Sequence, residues 1–185
     1  MVDTVLTDCE AHMKKAVQVL QDELATIRTG RASPALIEHL HVEAYGVATP
    51  LNQLANISAP EARLLVVQPW DQHLMGAIEK AILKTDLGLN PSNDGRMIRV
   101  VIPYLSEERR KDLTKLTHKK IEDSRVAVRA VRHEALGQME RMQKNKEISE
   151  DDFKRGKDRL QKMTDSYIAK VEQVGAHKEE EILEV

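Results

Sequence analysis

Apolar positions along the chain follow two periods, and the pattern switches twice. Near the N-terminus Leu6, Met13, Leu20 and Ile27 recur every seven residues, and Cys9, Val17 and Leu24 fill the intervening turns. This is the seam of a bundle or coiled-coil helix. Asp3 or Thr4 can cap it. Thr29-Gly30 should end it, because Gly30 can take the left-handed conformation at C′ without a Cβ penalty.

A second helical pattern opens at Ser106-Glu107-Glu108, where Ser106 is the predicted N-cap and the two acids suit the positive end of the helix dipole. Its expected seam is Leu113, Leu116, Ile121, Val128, Val131, Ala135, Met139 and Met142. At about 1.5 Å per residue, some 40 residues make a rod of about 60 Å, which needs equally long partners. A third helix is predicted from Ser149, with Asp152 completing a box-like cap. Its seam is Phe153, Leu160, Tyr167 and Val174, with Met163 and Val171 as a second row. Gly156 and Gly175 should weaken it. The short link Lys146-Glu147-Ile148 predicts that the second and third helices pack antiparallel.

Between Gly30 and Leu105 the helical period vanishes. All six prolines lie there, at 34, 50, 60, 69, 91 and 103. Leu40–Ala44, Leu64–Val67 and Ile98–Ile102 read as strands, with weaker candidates at Leu51–Leu54 and Ala55–Ser58. Met75, Ile78, Ala81 and Ile82 share one helical face, and residues 91–95 read as a turn. The expected fold is α+β, a long antiparallel three-helix bundle interrupted by a small inserted domain. The bundle takes residues 1–30 and 105–185 and the insert residues 31–104. The two connections, at Gly30-Arg31 and Pro103-Tyr104, are the expected two-strand hinge.

Charge sharpens this picture. The chain of 185 residues has a net charge of −2, yet residues 105–146 carry twelve basic and seven acidic side chains. Aromatics are 3% and charged residues 31%, as long helices with aliphatic seams require. No run of about 20 apolar residues predicts a membrane span, and the acidic N-terminus argues against a secretory or organellar leader. Cys9 is the single cysteine, so no internal disulfide can form. Together these features predict a cytoplasmic location.

Within the basic segment, Arg125, Arg129 and Arg132 fall at spacings of four and three, which puts them on one stripe of the helix. His118 lies near the same stripe, and Arg109, Arg110, Lys111, Arg28 and Arg31 gather near the domain connections. Planar guanidinium groups suit RNA phosphates and bases. The alternative is pairing with Glu122, Asp123 and Glu134, which at exposed positions contributes about 0.3–0.5 kcal/mol per pair. Phosphate-loop, zincin and nucleophile-elbow motifs are missing from the sequence. His39 and His41 share a putative strand face but have no third ligand nearby, so neither a metal nor a cofactor is expected, and no enzymatic activity.

Five separated stretches, Ile27-Arg-Thr-Gly-Arg-Ala-Ser-Pro34, Asp86-Leu-Gly-Leu-Asn-Pro91, Glu107-Glu-Arg-Arg-Lys-Asp-Leu113, Arg125-Val-Ala-Val-Arg129 and Lys146-Glu-Ile-Ser-Glu-Asp-Asp152, resemble the signatures of the bacterial ribosome recycling factor family. The resemblance covers essentially the whole chain. It implies a β/α/β layering for the insert and an outline like that of transfer RNA. It also implies a translation factor that acts after termination, with elongation factor G and GTP, to split ribosomes into subunits for a new round of protein synthesis. The implied contacts are large-subunit ribosomal RNA, and the implied state is a monomer. Arg129 and Arg132 match the family's RNA-contacting arginines, Arg28, Arg31 and Arg110 match basic motif positions, and Arg125 matches as well. The exit linker Val101-Ile-Pro-Tyr-Leu105 has fewer prolines than the family's, and His133-Glu134 follows the stripe. Two other readings predict different behaviour: a coiled-coil adaptor would dimerise and ignore ribosomes, and a general RNA chaperone would bind any structured RNA.

Overall fold

The computed structural model describes residues 1–184. The chain forms two compact units, one of Met1–Leu24 with Asp112–Glu180, the other of Ala25–Lys111 with the residues from Glu181 onward. Residues 25–30, 105–111 and those from 181 therefore group with the insert, beyond the expected bounds of 31–104.

Three long helices build the first unit: α1 (Val2–Ala25), α3 (Glu107–Lys144) and α4 (Glu150–Leu183). The pairs Lys120–Glu23, His118–Glu179, Arg125–Glu172 and Arg159–Asp3 give their directions. Helix α3 runs antiparallel to both α1 and α4. The α1 seam is buried as expected, with Met13 and Leu20 at most 2% exposed. Burial of each such side chain contributes about 1.5–3 kcal/mol. The caps also form: Ser106 Oγ accepts from Arg109 N at 3.2 Å, and Ser149 Oγ accepts from Asp152 N at 3.0 Å while donating to Asp152 Oδ2 at 2.8 Å.

Four local expectations fail, the first being the cap at Asp3 or Thr4, because α1 already starts at Val2 and both residues lie in its first turn. Helix α1 stops at Ala25, and Gly30 is not among the residues with positive φ, so no left-handed cap forms there. On α3, Leu116 is 39% exposed, and Thr117 and Ser124 take the buried positions instead. At about 100° per residue, Leu116 lies a quarter turn off the buried line that runs through Leu113, Thr117 and Ile121. Gly156 and Gly175 are close-approach sites. A Cβ on Gly175 would lie 2.7 Å from Ile121 Cγ1, and one on Gly156 would lie 2.8 Å from Val2 Cγ1. The short link to α4, which does set the two helices antiparallel, turns on Lys146, with φ +59°, and Glu147 N donates to Met142 O at 2.9 Å. That is a Schellman closure made without glycine.

In the second unit a hairpin of β1 (His41–Ala44) and β2 (Val47–Pro50) stands apart from a four-stranded antiparallel sheet. The sheet joins β3 (Ala55–Glu61), β4 (Leu64–Pro69), β5 (Asn90–Asn93) and β6 (Ile98–Val101) in the order β3-β4-β6-β5. Alternation on β4 and β6 turns Leu65, Val67, Ile98 and Val100 into the core. Helix α2 (Met75–Leu83) packs on β1 and β5 and adds Met75, Ile78 and Ile82. Two strand readings change. Leu51–Gln53 is a 3-10 turn, and Asn90–Asn93 is a strand although residues 91–95 read as a turn. Pro91 is tolerated because β5 is an edge strand. His39 precedes β1, so the two histidines do not share a strand.

Candidate nucleic-acid interface

The N-capped α3 sets the register of the basic stripe. Beyond residue 111 its buried line, Leu113, Thr117, Ile121, Ser124, Val128, Ala135 and Met139, anchors the helix in the bundle. Arg125, Arg129 and Arg132 flank that line on the side that meets α4, and their neighbours on α4 separate their roles.

Arg125 is spoken for. Its Nη1 lies 2.8 Å from Glu122 and its Nη2 2.5 Å from Glu172, and these hydrogen bonds raise its pKa further above the ordinary arginine value. His118 Nε2 sits 2.6 Å from Glu179. Together with Glu122, these groups line an open cleft between α3 and α4 whose three carboxylates offset the Arg125 charge. Arg132 is half-buried and donates from Nε to Gln161 Oε1 at 3.1 Å, which leaves its terminal nitrogens for other partners. Arg129 is exposed and makes no hydrogen bond or ion pair among the described residues. The stripe is thus neutralised toward residue 118 and open toward residue 132.

The other expected contacts fall in the second unit. Arg28 Nη2 donates to Pro103 O at 2.7 Å, and burial followed by the nearby Arg109 lowers its pKa. Arg31 Nη2 pairs with Glu184 Oε2 at 3.0 Å. Arg110 lines a small cavity with Gly30, Arg31, Tyr104 and Glu184. Arg63 was not singled out in the sequence. Its Nε and Nη2 donate to Ile102 O at 3.0 and 2.6 Å, and its guanidinium lies 3.2 Å from the centroid of the Tyr104 ring. No local motif marks this role, since Arg63 stands alone in a β turn far from Tyr104 in sequence. Among the described residues no group of three or more His, Cys, Asp or Glu side chains could hold a metal ion, and no helix is long and apolar enough to cross a membrane.

This arrangement can bind a polyanion through guanidinium groups on a rigid helix. Comparison with known proteins gives it a context. The ribosome-recycling factors of Thermomicrobium roseum and Roseiflexus castenholzii are 54% and 52% identical to this chain over 185 residues, covering 100% of both chains in each case. A solution structure of the ribosome recycling factor superimposes with a TM-score of 0.77 at 46% identity, covering 100% of this chain and 98% of the other. A second structure, a model of the T. thermophilus ribosome recycling factor with E. coli elongation factor G on the E. coli post-termination complex, gives a TM-score of 0.72 at 48% identity with both chains fully covered. The family model for ribosome recycling factor matches residues 20–183, and the chain belongs to that family.

Proposed function

We propose that this chain binds large-subunit ribosomal RNA through the α3 face at Arg129 and Arg132 and, with elongation factor G and GTP, splits the post-termination ribosome into subunits. The exposed, unengaged guanidinium of Arg129 beside the half-engaged Arg132 is the observation that carries this reading. The chain performs no chemical step of its own. It favours one ribosomal state over another, and the GTPase supplies the free energy. Arg110 and Arg28 are secondary RNA contacts, and Arg125 and Arg31 chiefly hold the protein's own carboxylates. Bending between the bundle domain and the insert is taken up around Gly30, Arg31, Pro103 and Tyr104, on the connections that leave the helical unit after Leu24 and return to it before Asp112. The cytoplasm is where such a factor works, as a monomer.

The test is ribosome splitting followed by light scattering, with and without elongation factor G and GTP. Splitting should require all three components and fall sharply with Arg129→Ala/Arg132→Ala. Subunits that separate no faster with the chain than without it would overturn the proposal.

A further inference from the structure

The turn Ala62-Arg63, between β3 and β4, fastens both connections that join the second unit to the rest of the chain. On the incoming connection Ala32 N donates to Ala62 O at 2.6 Å, and on the outgoing one Ile102 N donates to Arg63 O at 2.8 Å. The second bond continues the β4–β6 ladder one residue past the Leu64–Val101 pair.

The Arg63 side chain grips the outgoing connection at two further points. Its Nε and Nη2 hold Ile102 O, and its guanidinium lies flat enough on the Tyr104 ring to sit 3.2 Å from the centroid. These two points straddle Pro103. The proline ring fixes only its own φ, so the Pro103 ψ and the Tyr104 torsions are left for other groups to set. Tyr104 is 65% exposed, and the core does not hold its ring. Arg63 does, from a half-buried position within the same unit.

An RNA contact is the other use for an arginine near these connections. At Arg63 the chemistry for it is already engaged, since two of its three nitrogens serve one carbonyl and the ring covers one face of its plane. A lysine would carry the same charge with neither the fork nor the flat face. What Arg63 uses is the fork and the face, and both act on the chain itself.

We propose that Arg63 is a positioning residue for ribosome splitting. Bending at Pro103-Tyr104 carries the ring off the guanidinium, so Arg63 stiffens the outgoing connection and lets it pass the push of the GTPase on to the bundle. This rests on the recycling function proposed above and adds a residue to it. Single-molecule energy transfer between one dye in each unit of the full chain reads the spread of distances. The fraction of molecules outside the main peak should rise about tenfold in Arg63→Lys, which loses charged hydrogen bonds. It should rise about threefold in Tyr104→Leu, which loses only the stack at an exposed site. Tyr104→Phe keeps the ring face and should match wild type. In splitting assays Arg63→Lys and Tyr104→Leu should lower the maximal rate severalfold, with ribosome affinity and the half-saturating concentration of elongation factor G unchanged. A merely structural residue would not give that split together with rescue by phenylalanine. Distance distributions like wild type in both Arg63→Lys and Tyr104→Leu would overturn the proposal. So would weaker ribosome binding by Arg63→Lys with no wider distribution, which would make Arg63 an RNA contact. If the wild-type chain does not split ribosomes, the recycling function fails and the positioning role with it, while the distributions still decide whether Arg63 holds the connection.

Discussion

Arg125 on α3 is bonded to Glu172 on α4, with both Nε and Nη2 2.5 Å from Oε1. This bond divides a uniform-looking arginine stripe into one member held by the protein's own carboxylates and two with unengaged guanidinium nitrogens. Arg129→Ala should therefore lower ribosome affinity much more than Arg125→Ala. A plot of log affinity against log salt should lose about 0.7–0.9 of its slope for each phosphate contact removed. Arg125→Ala should cost about 0.5 kcal/mol of stability, as exposed pairs do, and change the slope little. Sedimentation with ribosomes at several salt concentrations measures both. Equal effects of the two substitutions would show that the Glu172 bond opens on binding.

Two glycines on the long helices should respond oppositely to alanine. Nothing lies within 4 Å of a Cβ on Gly137, and its φ is not positive. Gly137→Ala should stabilise by about 0.5–1 kcal/mol through helix propensity. At Gly175 the new methyl would clash with both Cδ1 and Cγ1 of Ile121, the latter only 2.7 Å away, so the whole side chain must shift. Gly175→Ala should cost about 1–3 kcal/mol through overpacking. Urea denaturation of the pair gives both signs at once.

The long helices were legible because their seams are local: Leu6, Met13 and Leu20 announce themselves at a fixed spacing, and Ser106 and Ser149 mark the starts of α3 and α4. Thr117 and Ser124 were not, because a pattern of apolar against polar residues cannot say which small hydroxyl side chains a close helix pair will tolerate inside. Gly175 read as a weakness because its reason, Ile121, lies on another helix. The same holds at the interface. The stripe could be seen from spacing, but which arginine is engaged depends on Glu172 and Gln161, remote in sequence. In the insert, Pro91 suggested a turn, and only the strand order shows that it sits on an edge where its missing N–H does no harm.

Acid should loosen the β5–β6 turn through Asp94. Its carboxylate accepts from the backbone N–H groups of Met97 and Arg96, each at 2.9 Å, and from Arg99 Nη1 at 2.7 Å. The Met97 bond, then the Arg96 bond, hold its pKa below the ordinary 3.8. The folded form therefore binds the proton less readily than the unfolded chain. The stabilisation is fully present above the unfolded value and is lost as pH falls through the lower folded value. Asp94→Asn should lower the melting temperature at neutral pH, and the gap to wild type should narrow from about pH 4 downward. A gap that stays constant down to pH 2 would assign the effect to turn geometry alone.

Lys146 closes α3 in the left-handed region, where a side chain costs about 1–2 kcal/mol. Glycine would remove that strain but lose about 0.5–1 kcal/mol to the greater freedom of the unfolded chain. Lys146→Gly should therefore give a net gain of up to about 1 kcal/mol, and Lys146→Asn a smaller one. The Schellman bond from Glu147 N to Met142 O involves only backbone and should survive both changes. Chemical denaturation of the two variants gives the stability, and ribosome sedimentation shows whether the Lys146 charge takes part in binding. Lower stability in both variants would mean that the lysine side chain holds the link by a contact of its own.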